Sequence, residues 1–283
     1  MKILPLITIL GLTFSHSFAN RIDKLESKTD VIKFLDHKVN WEWKPPVFFE
    51  DRLVDSLPYG KNNFFKVDLD NNGLTDLIIN GRYLFVITDN NKGKYAVHFI
   101  DKGRSSLDKY TLINIIKVDN SPAILVKGYN EFTKAPKQNA KTDTLIFKFD
   151  HFIEYNIHYS KTRISEINFS TNCQWGANFT MNIKQDRSAE YINNITDSTF
   201  HKLKCFIDSA KYERLNDIIN YINLNSLKGK YSVNWDYDQE SLIEIKFENG
   251  HSKSIEDYGS IGTFGLECLY DHIFDLRKNC RWK

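Results

Sequence analysis

The sequence lacks several features that would narrow its function. After residue 19, no segment comes near the roughly 18 uninterrupted apolar residues that indicate a transmembrane helix, so no membrane span is predicted. An excess of one charge is also lacking, because 38 Lys and Arg residues face 36 Asp and Glu residues. This balance argues against binding to nucleic acid and against attachment to an anionic membrane surface.

Signature motifs of common enzymes are missing as well. The sequence contains no G-x-S-x-G nucleophile elbow, no glycine-rich phosphate loop, and neither H-x-H nor H-E-x-x-H among its 8 histidines. Acidic pairs do lie beside aromatic residues, at Asp236 and Asp238 and at Glu256 and Asp257, and such pairs could serve glycoside hydrolysis. Solvated turns account for them more simply, so no catalytic residue is predicted.

Cysteine is scarce and confined to the second half of the chain, at Cys173, Cys205, Cys268 and Cys280. Because no C-x-x-C pair occurs, neither a zinc site nor a thioredoxin-like redox centre is predicted. An even number of cysteines in an exported chain predicts two disulfides. Buried free thiols are the alternative.

Helix geometry narrows the disulfide pairing. A predicted helix over 264–277 separates Cys268 from Cys280 by roughly 15–18 Å, whereas the Cα atoms of a disulfide lie within about 7 Å. This disfavours Cys268–Cys280, and with it Cys173–Cys205. Two pairings remain. One joins Cys173 to Cys280 and Cys205 to Cys268, and the other joins Cys173 to Cys268 and Cys205 to Cys280. The first is preferred, because Cys205 and Cys268 are both expected off the core faces of neighbouring helices.

The first nineteen residues have the layout of a secretory signal peptide. Lys2 supplies a positive charge, residues 3–14 form an apolar run, and the segment ends in Ser17-Phe18-Ala19, with small residues where a signal peptidase reads them. The run is shorter than the about 20 residues that span a bilayer. The sequence therefore predicts cleavage after Ala19 and a secreted or periplasmic protein.

The length of the mature chain suits two domains, and its pattern predicts an α+β fold. Residues 20–160 are predicted to form a β-rich domain that starts with a helix over 29–39. Short connections imply antiparallel neighbours. The candidate strands of this domain cover 63–68, 76–80, 82–89, 94–101, 111–118, 122–128, 142–149 and 152–158.

Residues 161–283 are predicted to form a small α+β sandwich, because hairpins followed by helices favour helices packed on one side of an antiparallel sheet. Its candidate strands cover 163–169, 179–185, 188–193, 241–247 and 251–256. Its candidate helices lie near 198–210, 213–222 and 264–277.

Two tryptophans, Trp41 and Trp43, precede the pair Pro45-Pro46, which forbids a helix and favours an extended path. They are candidates for an exposed binding surface. The simpler interpretation is that they cover the edge of the first core.

The strongest local motif is an acidic loop between two predicted strands. Ca²⁺ prefers six to eight hard oxygen ligands, and alternate residues of a tight loop point inward together. Gly73 permits the sharp turn, but Ile79 stands where an EF-hand would have Glu. The alternative is a hairpin turn without an ion. The predicted calcium ligands are Asp68, Asp70, Asn72, Asp76 and the Leu74 carbonyl.

This loop resembles the calcium loops of integrin-like propeller repeats, in which a strand pair such as Phe64–Val67 and Leu77–Asn80 holds the ion. Those repeats come in several copies. Only one copy is present here, which excludes a propeller.

Residues 163–283 resemble a family of exported bacterial domains without an assigned function. The resemblance implies a fold and brings no catalytic residues. The family loop usually carries a second cysteine and a proline where Ala177-Asn178-Phe179 stand, so Cys173 must find another partner or stay free. The matching residues are Ile164, Cys173, Gly176, the Phe179–Tyr191 hairpin, Phe206, Asp236 or Asp238, Ile243–Lys253, Tyr258-Gly259 and Trp282.

These observations favour an exported, monomeric, non-catalytic protein that binds a protein or glycan partner. A secreted hydrolase with a site between the domains is one alternative, and an exported inhibitor or immunity-type protein is another. Converging carboxylates or histidines in a cleft would favour the hydrolase, whereas an exposed aromatic patch would favour binding.

Overall fold

The computed structural model describes residues 20–41, 63–91, 93–100, 108–130, 142–159, 161–173, 176–193, 202–234 and 236–283. The predicted signal peptide and Trp43 lie outside the described residues.

A helix and a four-stranded sheet form the first layer pair. Helix α1 (Lys28–Lys38) begins at Ser27, whose hydroxyl accepts the N–H of Asp30, while the Asp30 carboxylate accepts the N–H of Ser27. This reciprocal pair is a capping box. The antiparallel strands lie in the order β1 (Phe64–Val67), β2 (Asp76–Asn80), β3 (Leu84–Asp89) and β4 (Tyr95–Phe99).

Strands β2 and β3 are buried along their whole length, because both faces of the sheet are covered. Leu77 and Phe85 lie in a core with α1, whereas Ile78 and Val86 lie in a core shared with the next sheet. This two-sided burial explains why both strands read as continuous apolar runs.

The second sheet repeats the first as a meander of four antiparallel strands. They are β5 (Asp108–Val118), β6 (Ser121–Asn130), β7 (Thr142–Lys148) and β8 (His151–Glu154), in that order. Its inner face contributes Leu112, Ile124 and Phe152 to the core between the sheets. All eight strands predicted before residue 160 are therefore present, divided between two sheets.

The C-terminal part forms a single seven-stranded sheet in the order β12-β11-β10-β9-β14-β15-β13. Every pairing in it is antiparallel except the parallel pair of β13 and β15. The strands are β9 (Ile164–Asn172), β10 (Phe179–Lys184), β11 (Ser188–Asn193), β12 (Lys202–Phe206), β13 (Lys230–Ser232), β14 (Glu240–Phe247) and β15 (Ser252–Tyr258).

Two helices, α2 (Ser209–Tyr221) and α3 (Phe264–Asn279), pack on one face of this sheet and share one core with it. The opposite face carries polar side chains, such as Glu166 and Asn182, which are hydrogen-bonded to each other. This arrangement confirms the predicted α+β class. In the part of the chain that the structure describes, no helix is long and apolar enough to cross a membrane.

The helix predicted near 198–210 is wrong. Residues 202–206 form strand β12, which pairs with β11, and α2 begins only after Asp208, whose carboxylate caps Ala210 N–H. The apolar residues of this segment also fit a period of two, which places Leu203 and Cys205 on the helix-covered face of the sheet. Phe206, the next residue of the strand, lies on the opposite face and is 62% exposed.

Candidate functional site

The acidic loop between β1 and β2 makes the tight turn that its sequence predicts. Asn71 and Gly73 have positive φ angles of 57° and 84°, a conformation that asparagine and glycine tolerate best. Both oxygens of Asp68 accept main-chain N–H groups within the turn, from Asn72 and Gly73 at 3.1 and 2.9 Å. The loop therefore holds its shape through side-chain oxygens.

Three of the predicted ligands converge. Asp68, Asp70 and Asp76 each offer a carboxylate oxygen, and these oxygens lie within 4.8 Å of one another. Asp76 is fully buried and accepts N–H groups from Leu69 at 2.8 Å and from Asp89 at 3.0 Å. Burial raises the pKa of Asp76 to about 7, because removing water disfavours the charged carboxylate.

Asn72 is placed differently from the prediction. Its amide nitrogen donates to Asp70 Oδ2 at 2.9 Å and to the Asp89 carbonyl at 2.8 Å. Its amide oxygen accepts the N–H of Leu74 at 2.7 Å. The side chain of Asn72 therefore stabilises the loop as a donor, and its oxygen is already engaged.

The cysteines form one disulfide, between Cys205 and Cys280, with a Cα–Cα distance of 6.5 Å. Cys173 and Cys268 are free. The preferred pairing of Cys173–Cys280 with Cys205–Cys268 is therefore wrong. The error follows from the misassigned helix, because Cys205 lies on an edge strand that passes the end of α3, where Cys280 lies.

Trp41 does not form a free aromatic platform. Its indole N–H donates to the Leu35 carbonyl at 2.9 Å, and its ring packs edge-on against Phe85 at 5.7 Å. The alternative interpretation, that it covers the edge of the first core, describes it better.

The second acidic pair considered for hydrolysis, Glu256 and Asp257, has structural contacts. Asp257 is buried and accepts N–H groups from Ile261 and Gly262 at 3.0 and 3.1 Å. Glu256 pairs with Lys230 across the sheet at 2.9 Å.

A cluster that the sequence does not reveal lies where β8 meets α3. His151, from β8, and Cys268 and His272, from α3, offer ligand atoms within 4.8 Å of one another. The His151 ring donates from Nδ1 to the Phe149 carbonyl at 3.0 Å, and its Nε2 lies 3.1 Å from Asp271 Oδ2. Burial alone would lower the pKa of His151, but the hydrogen bonds with Asp271 and Cys268 outweigh it and raise this pKa.

This cluster is not arranged as a nucleophile with its base. A relay needs the acid and the nucleophile on opposite nitrogens of the imidazole. Because Phe149 O engages Nδ1, only Nε2 of His151 remains for both Asp271 and Cys268. Cys268 is also fully buried, and burial raises the pKa of its thiol, whereas reactive thiols are exposed and acidic.

A groove of about 720 Å³ runs along the segment that joins β8 to β9. Its lining combines both charges with aromatic and amide side chains from the two parts of the chain. The residues include Lys148, Phe149, Tyr159, Lys161, Arg163, Gln185, Glu213, Asn216, Asp217, Asn220 and Tyr221.

The fold and these sites define an α+β protein with two N-terminal meanders, a helix-covered C-terminal sheet and no relay of catalytic residues among the groups described above. Within it, residues 175–277 match a family described as a domain of unknown function (DUF6438). The match starts a few residues before β10 and ends in the last turn of α3, and it confirms the resemblance to a family without an assigned function. No curated protein is significantly similar to the chain.

Proposed function

We propose that this chain is an exported, non-catalytic binding protein whose protein or glycan partner occupies the groove at the junction of its two parts. One observation carries this proposal: the groove places the exposed ring of Tyr159 beside amides and charges of both signs. Ligand sites combine apolar surface with a few placed polar groups in this way.

The aromatic side of the groove suits a sugar ring or an extended peptide. Tyr159 is 54% exposed and stacks on Tyr221 with ring centroids 6.3 Å apart. The ammonium of Lys148 lies 5.2 Å from the Tyr221 ring centroid and 5.1 Å from that of Phe149. These contacts hold the aromatic surface in place before a ligand arrives, which limits the entropy lost on binding.

The polar side of the groove contains a buried acceptor that needs a donor. Asn216 Oδ1 is buried and has no hydrogen-bond partner, and such a group costs about 1–3 kcal/mol. Because this atom is closed to solvent, the Asn216 side chain must turn towards the groove before a ligand hydroxyl or amide N–H can satisfy it. The neighbouring Asn220 is held by the N–H of Thr162 at 2.9 Å.

The test compares Tyr159→Ala with Tyr237→Ala on a glycan array and a peptide library. Tyr237 is the matched control, because it is 77% exposed and does not line the groove. We expect wild type and Tyr237→Ala to bind the same ligands, and Tyr159→Ala to lose at least about tenfold in affinity, the equivalent of about 1.4 kcal/mol. Equal binding by both variants would place the site elsewhere, and conversion of a bound glycan to products would favour the hydrolase.

We also propose that the acidic loop binds Ca²⁺ through Asp68, Asp70 and Asp76. Three carboxylates that converge within 4.8 Å repel one another unless a cation or a proton on Asp76 balances them. Exported proteins meet enough calcium for weak sites to fill. The Leu74 carbonyl remains a proposed ligand, and Asn72 would have to turn its amide oxygen inward.

Export itself is proposed from the signal-peptide layout. The intact mass of the protein recovered from the periplasm or medium should correspond to a chain that starts at Asn20. A secreted chain that retains Met1 would contradict cleavage after Ala19.

A further inference from the structure

The donor set at the junction of β8 and α3 has the chemistry of a transition-metal site. Two imidazoles and one thiolate are the ligands that Zn²⁺ and its neighbours prefer, whereas Ca²⁺ and Mg²⁺ require oxygens. We propose that His151, Cys268 and His272 bind a transition-metal dication, with Zn²⁺ as the probe, and that the ion fastens the two parts of the chain together.

The positions of the ligands support this assignment. Cys268 and His272 are four residues apart on α3, so their side chains lie on the same face of the helix, one turn apart. His272 Nδ1 lies 3.8 Å from Cys268 Sγ. His151 comes from β8 and brings its ring to 5.4 Å from that of His272. All the ligand atoms lie within 4.8 Å of one another, so a common ion requires only small side-chain movements.

Outer contacts orient the ligands in the manner typical of metal sites. The Phe149 carbonyl accepts Nδ1–H of His151 at 3.0 Å, which leaves Nε2 as the ligand atom of this ring. Metal-bound histidines usually donate their other N–H to such a group, and this contact fixes the tautomer. Nδ1 of His272 lies 3.8 Å from Cys268 Sγ and 2.9 Å from the Cys268 carbonyl. An ion bound at this nitrogen replaces its hydrogen bond to the carbonyl, so the outer contact that persists in the loaded site is the one on the His151 ring.

Three protein ligands leave the fourth position of a tetrahedral ion for water. Asp271 lies 3.1 Å from His151 Nε2 with a side chain that is 56% exposed. An ion bound at Nε2 takes the place of the proton in this contact, and the displaced carboxylate can then accept a hydrogen bond from the water on the ion. Cys268 is fully buried, so the thiolate side of the site is shielded from solvent.

The experiment uses the oxidised mature chain, stripped with a chelator and titrated with Co²⁺. Co²⁺ reports a thiolate ligand through charge-transfer absorption and a tetrahedral geometry through its visible bands. We expect both signals in wild type and in Cys173→Ser, which removes the other free thiol. Cys268→Ser should lose the charge-transfer band. The signals should disappear when Zn²⁺ is added, because Zn²⁺ displaces Co²⁺ from such a site.

The histidines are tested separately, because Cys268→Ser alters a buried position and could impair folding. His151→Gln and His272→Gln keep the thiol and should each weaken Co²⁺ binding by more than the about 10–100-fold that loss of an outer contact costs. His158→Gln, an exposed control, should bind as wild type does. Zn²⁺ at about 100 times its dissociation constant should raise the Tm of wild type by roughly 5–10 °C.

Three results would overturn the site. The first is the absence of a thiolate–Co²⁺ band in wild type, and the second is its persistence in Cys268→Ser. Unchanged Co²⁺ affinity in both histidine variants would have the same meaning. Ca²⁺ should neither produce the band nor prevent it, so this test is independent of the acidic loop and of the groove.

Discussion

Glu154, at the end of β8, accepts the main-chain N–H of Gly265 with Oε2 at 2.8 Å. Its Oε1 accepts the N–H of Phe264 at 2.7 Å. These donors belong to the first turn of α3, where no intrahelical partner exists and where the helix dipole favours a negative charge. The N-terminal part of the chain thus caps a helix of the C-terminal part, which couples the two parts next to the histidine cluster.

Removal of this carboxylate should destabilise the protein. Glu154→Ala leaves two N–H groups without their acceptor, and we expect the free energy of unfolding to fall by about 2 kcal/mol. Glu154→Gln should lose less stability, because its amide oxygen can still accept one hydrogen bond. Urea denaturation measures both. Glu213→Ala, an exposed control on α2, should stay within about 0.5 kcal/mol of wild type, and an equal loss in the control would contradict the capping role.

Gly265 is expected to resist alanine although it lies in a helix. Helix propensity alone predicts that Gly265→Ala stabilises by about 1 kcal/mol. A Cβ at this position would lie 2.5 Å from Ile222 Cγ2, and such overpacking costs about 1–3 kcal/mol. We therefore expect a lower Tm. In a chain that already carries Ile222→Ala, Gly265→Ala should lower the Tm by less than it does in wild type. A raised Tm for Gly265→Ala in wild type would show that the helices move apart easily.

Peptide mapping should recover one disulfide, between Cys205 and Cys280. The bond closes a loop of 75 residues, and its removal by Cys280→Ser should lower the free energy of unfolding by about 2–4 kcal/mol. Cys268 is buried and should react with an alkylating agent only after denaturation. A peptide that joins Cys205 to Cys268 would restore the pairing that the sequence favoured.

His98 should make the protein less stable in acid. Burial is the main cause that lowers its pKa from 6.5 to about 4, so the folded state binds fewer protons than the unfolded chain between these values. The free energy of unfolding is therefore highest, as far as His98 is concerned, above pH 6.5. It falls by about 2–3 kcal/mol as the pH is lowered towards 4. His98→Gln can keep the contact with Thr88 and should lose less stability than wild type between pH 6.5 and 4. Urea midpoints that fall equally in His98→Gln and wild type would contradict the assignment.

Calcium should raise the Tm of the stripped protein. A ligand that binds only the folded state adds about 2.7 kcal/mol at roughly 100 times its dissociation constant, which corresponds to about 5–10 °C. Asp70→Ala should abolish the shift, and it could raise stability in chelator by relieving repulsion. Asp236→Ala, an exposed control, should respond as wild type does. If calcium and chelator give the same wild-type melting curve, the loop is only a hairpin turn.

Local patterns predicted most of the elements, because their cause is local. The meanders before residue 160 follow from short apolar runs separated by turn residues, and β11 was predicted with its observed bounds, Ser188–Asn193. Residues 202–206 were misassigned because their apolar residues fit both a period of 3.6 and a period of two. Pairing with β11 decides between them, and that contact is not encoded in the segment alone.

The sequence by itself determined the α+β class, the strand-rich N-terminal half and the convergence of Asp68, Asp70 and Asp76, since these carboxylates share one short turn. Only the tertiary structure decided the partner of Cys205 and the meeting of His151 with Cys268. Both depend on where α3 packs, and that position results from burial of apolar faces over the whole core. Contacts between residues more than 70 positions apart cannot be derived from local spacing.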